Sequence, residues 1–423
     1  MVARLAIDGG IPVRPTPLRG GFHGSAEMDL REMEAVNHVL EKKRLFRFLS
    51  LGAEESEAAK IEDWYRERLE KEYTLAVSSG TASLICAMFG IDAGPGDEVI
   101  IPAYTYVATA AAVIAAGAVP VIAEVDASLN MDPDDLEAKI TPYTKAVIPV
   151  HMRGVPSRMD EIMAVAKKHE LIVVEDVAQS NGGRYKGRYL GTMGDVGCFS
   201  FQQYKIITSG EGGMMVTDDE EIYDRGRMQH DCAARFWEGS GTRSYDFVIS
   251  GENYRLAELP AALIWAQRER LDEIISTCRA VKGHVSEGLI GIADLELQDV
   301  PDPQGDCGIT LTFFLPNAEL AKAFARALNA ENIRCGTVYD NTIPDRHIYA
   351  NWPFMISGLA EERRTPWKSP FYKGDVKGYS RDQCPQSLDY LGRSIMLSID
   401  QTFTLEDADT IVAGVQKVAD ALL

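Results

Sequence analysis

The chain has 423 residues, 46% of them hydrophobic and 25% charged, enough apolar material for two packed domains of ordinary soluble composition. Its 63 acidic against 43 basic side chains leave a formal charge of −20, which argues against a nucleic-acid or anionic-membrane partner, because phosphate contacts need clustered Lys and Arg. Residues 1–20 carry too short an apolar stretch for a signal peptide, and no later segment reaches the roughly 18 to 20 apolar residues of a membrane span, so the expected location is cytoplasmic. Seven cysteines with no CxxC pair point to reduced, mostly buried thiols, and neither a disulfide framework nor a metal site is expected.

In chain order, an acidic helix-forming segment, "DLREMEAVNHVLEKKRLFRF" (29–48), comes first. From about 70 to 220, short apolar β-branched runs alternate with helical periods. "YTLAV" (73–77) precedes "GTASLICAMFGI", "GDEVIIPA" (96–103) precedes "TYVATAAAVIAAG", and "VPVIAEV" (119–125) precedes "DPDDLEAKI". "TKAVIPV" (144–150) precedes "MDEIMAVAKKHE", and "LIVVED" (171–176) is followed by "CFSF" and "GGMMVTDD". This alternation predicts an α/β fold with a large, doubly wound, mostly parallel sheet, whose ligands bind beyond the carboxyl ends of the strands. "RLAELPAALIWAQRERLDEIISTCRAVKGHVSEGL" (255–289) reads as one long helix bridging to a second part. There "CGITLTFFLPNAELAKAFARALNAENIRCGTVY" (307–339) reads strand, helix, strand, and "SIMLSIDQTFTLEDADTIVAGVQKVADALL" (394–423) reads strand, turn, capped helix. The expected division is a large domain over 1–275, N-terminal segment included, and a small α+β domain over 276–423, with an irregular excursion between about 341 and 383.

Three features sit at strand ends. In "VSSGTAS" (77–83) a strand ends and a helix opens on Ser79, Gly80, Thr81 and Ala82. A helix N-terminus with small side chains binds a phosphate dianion, although Ser and Thr caps are also commonplace. In "LIVVEDVAQS" an apolar strand runs into Glu175 and Asp176. A carboxylate at that depth is costly unless a cation meets it, and a protonated pyridine nitrogen is such a cation; a turn cap or metal ligand is the competing reading. In "CFSFQQYKIITSGEGGMMVTDD" (198–219), Lys205 stands between aromatics and the glycines 210, 212 and 213. The bland reading is a hairpin with its lysine in water. The alternative is a partly desolvated amine of lowered pKa that forms a Schiff base with an aldehyde and then moves a proton. Together the three features have the order of a pyridoxal phosphate site.

"SSGTAS", "PAYTYVATAAAV", "PVHMRG", "VVEDVAQSNGGRYKGRYLGTMGDVGCFSFQQYK", "GEGGMMVT" and "NYRLAELPAAL" make the chain similar to the DegT/DnrJ/StrS family of sugar aminotransferases over about residues 30–270, more loosely to the C-terminus. The resemblance implies pyridoxal phosphate enzymes of fold type I, the aspartate-aminotransferase fold, working as homodimers with shared active sites. It implies Lys205 as the Schiff-base lysine, Asp176 as partner of the pyridine nitrogen, Gln179 beside the ring hydroxyl and Tyr106 stacked on the ring. It also implies Thr81, Ala82 and Ser200 at the phosphate, with Asn253 reaching in from the second subunit. The implied reaction passes an amino group from glutamate or glutamine to a keto or aldehyde sugar. "ENIRCGTVYDN" and "HIYANWPF" look most like the branch that aminates position 8 of a keto-octulosonate, an outer-membrane (lipopolysaccharide) sugar precursor; a nucleotide-linked keto sugar or aminocyclitol precursor is the alternative. Ile206 stands where the family often has Asn, and Asp400 near where it has His or Tyr, which bears on substrate contacts. Lys205 argues against the dehydratase branch, which carries histidine there. A pyridoxal-phosphate-binding regulator without turnover is the reading from another class. Arg153, Arg235, Arg255, Arg334 and Arg393 are the unranked candidates for binding an anionic substrate group.

Overall fold

The computed structural model describes residues 4–18, 20–49, 56–238, 247–340, 342–356 and 365–423; the centre of the excursion, 357–364, lies outside the described residues. The strands in chain order are β1 (Tyr73–Val77), β2 (Glu98–Pro102), β3 (Val119–Ala123), β4 (Thr144–Val147), β5 (Ile172–Asp176), the short hairpin β6 (Arg184–Tyr185) and β7 (Arg188–Tyr189), β8 (Val196–Ser200) and β9 (Gly213–Thr217). All but the hairpin join one seven-stranded sheet in the order β1-β9-β8-β5-β4-β2-β3. The joins from β8 through β5 and β4 to β2 and β3 are parallel; β9 runs antiparallel to both β8 and β1.

Alternate residues of each strand feed two different apolar clusters. Leu75, Val77, Val99, Ile101, Val174 and Cys198 face one side, and Ala76, Ile100, Val173 and Phe199 face the other. Helices Gly80–Gly90 and Ala108–Ala115 cover the first face with Leu84, Met88 and Val113. Helices Glu57–Leu69, Met159–Lys168 and Glu258–Gln267 cover the second with Ile61, Ile162 and Ile264. Each fully buried aliphatic side chain contributes roughly 1.5–3 kcal/mol, so a one-residue slip of a strand would be prohibitive, and the strand-end residues are held in register.

The expected long helix at 255–289 is two helices, Glu258–Gln267 and Leu271–Leu289, joined by a 3₁₀ turn at Arg268–Arg270. The break has a cause in the neighbours. Gln267 is buried, receiving the Thr208 N–H at 2.7 Å and donating to the Gly24 carbonyl at 3.0 Å, while the Arg270 guanidinium is buried against Glu32. Beyond this point lies a small antiparallel sheet of β10 (Glu296–Leu297), β11 (Thr310–Phe314) and β12 (Ser394–Ser398), in that order. Helices Ala318–Ala330 and Leu405–Leu422 pack on it. The second begins at Thr404, which shares a capping box with Asp407. The strand expected near 333–339 does not form. Gly336 alone bridges to Met396, and residues 333–338 instead line a cavity. Among the described residues no helix is long and apolar enough to cross a membrane.

Candidate active site

The carboxyl ends of β1, β5 and β8 open on a cavity of about 640 Å³ lined by Ser79, Gly80, Thr81, Tyr106, Asp176, Gln179, Ser200 and Lys205. Eight of the ten residues singled out from the sequence therefore meet in one place. Ala82 and Asn253 do not line it: the Ala82 N–H is taken by the Ser79 hydroxyl at 3.0 Å, and the Asn253 side chain receives the Arg255 N–H at 3.3 Å.

Lys205 lies in the connection of an antiparallel hairpin, since Ser200 of β8 pairs with Gly213 of β9. The loop is tied down from within. Phe201 and Gly212, and Gln203 and Gly210, join through backbone hydrogen bonds of 2.8 and 3.0 Å, and the Thr208 hydroxyl donates to the Phe201 carbonyl at 3.0 Å. Buried Ile206 and Ile207 anchor it in the core. Gly210 adopts φ +84°, which disfavours any side chain. Gly213 is required for another reason: a Cβ there would lie 2.3 Å from the Ser79 carbonyl oxygen, so its absence lets the hairpin close on the helix cap. The lysine itself is half-buried. Burial pushes its ammonium down to about 8; Asp176 opposes this, Arg153 adds to it, and Glu211 opposes.

Glu175 and Asp176, the last two residues of β5, point to opposite faces. Asp176 is buried, accepts from the Thr109 hydroxyl at 2.9 Å and the Ala178 N–H at 3.0 Å, and has no lysine or arginine paired with it among the described residues. Burial raises its carboxyl above the usual range against the pull of those two donors and of Lys205. A cation delivered into the cavity would relieve that cost. Ser79 caps helix Gly80–Gly90, leaving the Gly80 and Thr81 N–H groups without a partner among the described residues. A Cβ on Gly80 would sit 2.6 Å from Ser200 Cβ, so glycine is what admits the Ser200 side chain beside the open helix end. An unpaired buried carboxylate, an amine of lowered pKa and an open helix N-terminus fit the pyridine nitrogen, aldehyde and phosphate of pyridoxal phosphate.

The structure adds residues that had no role assigned from the sequence. Thr109 orients Asp176 from the helix Ala108–Ala115. His347, from the irregular excursion, lies 5.3 Å from the Tyr106 ring, centroid to centroid. It donates its backbone N–H to Asp345 at 2.8 Å and meets the same oxygen through Nδ1 at 2.8 Å. Burial lowers its pKa against Asp345, with Arg153 and Lys205 lowering it further. Gly21 and His23 reach the cavity from the N-terminal segment, where Asp400 accepts the Gly21 N–H at 2.9 Å. Asp400 thus fastens this segment over the site.

Residues 27–358 match the DegT/DnrJ/EryC1/StrS aminotransferase family. GDP-perosamine synthase of Caulobacter vibrioides is 41% identical over 222 residues, which cover 52% of this chain and 58% of that protein, less than two thirds of its length. L-glutamine:2-deoxy-scyllo-inosose aminotransferase of Micromonospora echinospora is 35% identical over 298 residues, covering 67% of this chain and 68% of that one. The solved aminotransferase of Psychrobacter cryohalolentis superposes with a TM-score of 0.77 at 26% identity, over 94% of this chain and 98% of that chain.

Proposed function

Because the chain belongs to the DegT/DnrJ/EryC1/StrS aminotransferase family and takes pyridoxal 5'-phosphate as cofactor on the type I fold, we propose that it transfers an amino group from glutamate or glutamine to a keto or aldehyde sugar. One observation carries the reading: a single cavity brings together a lysine of lowered pKa, a buried unpaired aspartate and an open helix N-terminus. When bound, pyridoxal phosphate would supply an electron sink for the amino-bearing carbon. The chain's own groups do the rest. Asp176 holds the proton on the pyridine nitrogen, the Gly80 and Thr81 N–H groups and Ser200 hold the phosphate, Gln179 meets the ring hydroxyl and Tyr106 covers the ring face. Lys205 Nζ would hold the cofactor through its aldehyde and would be the group that moves a proton at the amino-bearing carbon.

In finer terms, the C-terminal likeness favours an 8-oxo-octulosonate acceptor for lipopolysaccharide sugar synthesis in the cytoplasm. A nucleotide-linked keto sugar or aminocyclitol precursor is the alternative, favoured by the names of the two curated relatives. The working unit in this reading is a homodimer, with Asn253 completing the phosphate site of the neighbouring subunit. The test loads the purified enzyme with cofactor, drives it to the pyridoxamine form with glutamate or glutamine, and screens keto sugars for return of the yellow absorbance. Return with one sugar class identifies the acceptor; failure of every donor to bleach the absorbance overturns the aminotransferase reading. Mixing Lys205→Ala with Asn253→Ala subunits should give activity above either parent, since one site of each heterodimer collects both lesions and the other neither. Activity at the parental average would return Asn253 to its own chain's site.

A further inference from the structure

Of the five arginines that might meet an anionic substrate, three are already engaged by carboxylates. Arg235 pairs with Asp224, Arg255 with Asp231, and Arg393 with Asp389 and Glu296. Arg334 and Arg153 have no such pair among the described residues, but Arg334 is exposed and does not line the main cavity, whereas Arg153 is half-buried and does. It follows the end of β4 in a tight turn, Met152–Gly154, with φ +54° and ψ +31°, a left-handed backbone that is unfavourable for a non-glycine residue. That backbone is held at both ends: its N–H donates to Gln179 Oε1 at 3.3 Å, and its carbonyl receives the Thr310 hydroxyl at 3.1 Å. The half-buried side chain makes one long contact, Nε to the Tyr104 hydroxyl at 3.4 Å, and no carboxylate pairs with it among the described residues. Asp345, whose charge reaches Arg153 through space, has an oxygen occupied by His347.

Arg153 also stands between two cavities. It lines the main one with Lys205, and with Arg334, Gly20 and Ser398 it lines a side lobe of about 310 Å³. Its charge is felt by Lys205 and His347, whose pKa values it lowers, so the guanidinium sits within electrostatic reach of the reacting amine. Asp345 acts on Arg153 through space without contacting it and is itself hydrogen-bonded to His347, so the planar fork of the guanidinium stays open and matches a carboxylate in bidentate fashion.

We propose that Arg153 is the carboxylate receptor of the transamination site, taking the carboxylate of the amino donor or of an acidic sugar acceptor that extends into the side lobe. The proposal rests on the aminotransferase reading, and its test separates the two. Cofactor-loaded wild type, Arg153→Lys and Arg153→Gln are compared by stopped-flow absorbance in two half-reactions: bleaching by L-glutamate or L-glutamine, and recovery of the pyridoxamine form with keto sugars bearing or lacking a carboxylate. Calorimetric titration with glutarate supplies a binding readout independent of turnover, and melting temperature and cofactor occupancy verify that each variant is intact. Arg153→Gln should raise the half-saturating concentration about ten- to a hundredfold in one half-reaction, leave its limiting rate less affected, and weaken glutarate binding, with Arg153→Lys between. A donor carboxylate is identified if the bleaching half-reaction is the one affected. An acceptor carboxylate is identified if recovery is affected and the preference for acidic over neutral sugars is lost. Wild-type saturation in both half-reactions with unchanged glutarate binding would overturn the proposal while leaving the aminotransferase reading intact; a wild type that no donor bleaches would overturn that reading instead.

Discussion

Two carboxylates leave the same strand end in opposite directions and meet opposite fates. On one face of β5, Glu175 is buried and saturated: Gly191, Met193 and Gly194 donate backbone N–H groups to it at 2.8, 2.7 and 2.6 Å, and His151 Nε2 lies 3.1 Å away. Burial works to raise its pKa, yet these partners together hold it below the ordinary range. On the other face, Asp176 has two donors, a cavity in front of it, and a carboxyl that burial holds above the ordinary range. Equal depth in the sheet therefore does not mean equal purpose. The face whose hydrogen bonds close on themselves binds the 191–194 turn, and the face left short of partners is reserved for something that arrives.

The largest effect should come from breaking the unsaturated face. Asp176→Asn should lower turnover about a thousandfold or more, the loss of about 4 kcal/mol of transition-state stabilisation, because a neutral pyridine is a poor electron sink. Its melting temperature should stay near that of wild type, since the amide replaces a carboxyl that burial already disfavours as an anion. Glu175→Gln should do the reverse. It leaves backbone N–H groups facing an amide that cannot accept from all of them, costing about 2–4 kcal/mol of stability with a near-normal rate per folded molecule. Rate and melting measured together on these two variants decide the contrast, and a stable, fast Asp176→Asn would collapse it.

Smaller changes sharpen it. Thr109→Val removes one of the two donors to Asp176 and should slow turnover about tenfold or less at unchanged cofactor loading. A fully normal rate in this variant would mean the hydroxyl only fills space. For Lys205, only the neutral amine captures the cofactor aldehyde, so the capture rate of apoenzyme should climb with pH through about 8 and then level, where an ordinary lysine would climb past 10. Removing a neighbour moves this midpoint in a known direction: Asp176→Asn lowers it, because the carboxylate favours the ammonium, and Arg153→Gln raises it, because the guanidinium opposes the ammonium. Shifts of the opposite sign would mean that neither neighbour faces the amine.

Much of this was legible in the sequence because the strands are short, continuous and apolar, and their ends placed Ser79, Asp176 and Lys205 together, with Ser200 added by the family resemblance. Their direction was less legible. A fully buried strand reads the same both ways, so nothing in "GGMMVTDD" marks β9 as antiparallel to β8. The bland reading of Lys205 as a hairpin residue was right about the hairpin; what the sequence could not show is that the loop folds inward and holds the amine half-buried. His347 and Thr109 lie in stretches quoted for the family likeness but had no role assigned from the sequence, since only tertiary packing brings His347 to the cavity and the Thr109 hydroxyl to Asp176 behind it. Nor did spacing rank the five arginines. That ranking depends on which of them already has a carboxylate, a property of distant residues such as Asp224 and Asp231.

The central claim is that Lys205 holds the cofactor covalently, and borohydride reduction of the yellow holoenzyme followed by peptide mass spectrometry tests it most directly. The account predicts a single pyridoxyl adduct on the peptide carrying Lys205, absent from Lys205→Ala even after incubation with excess cofactor. An adduct on another lysine, or a holoenzyme that retains its colour and activity in Lys205→Ala, would contradict it.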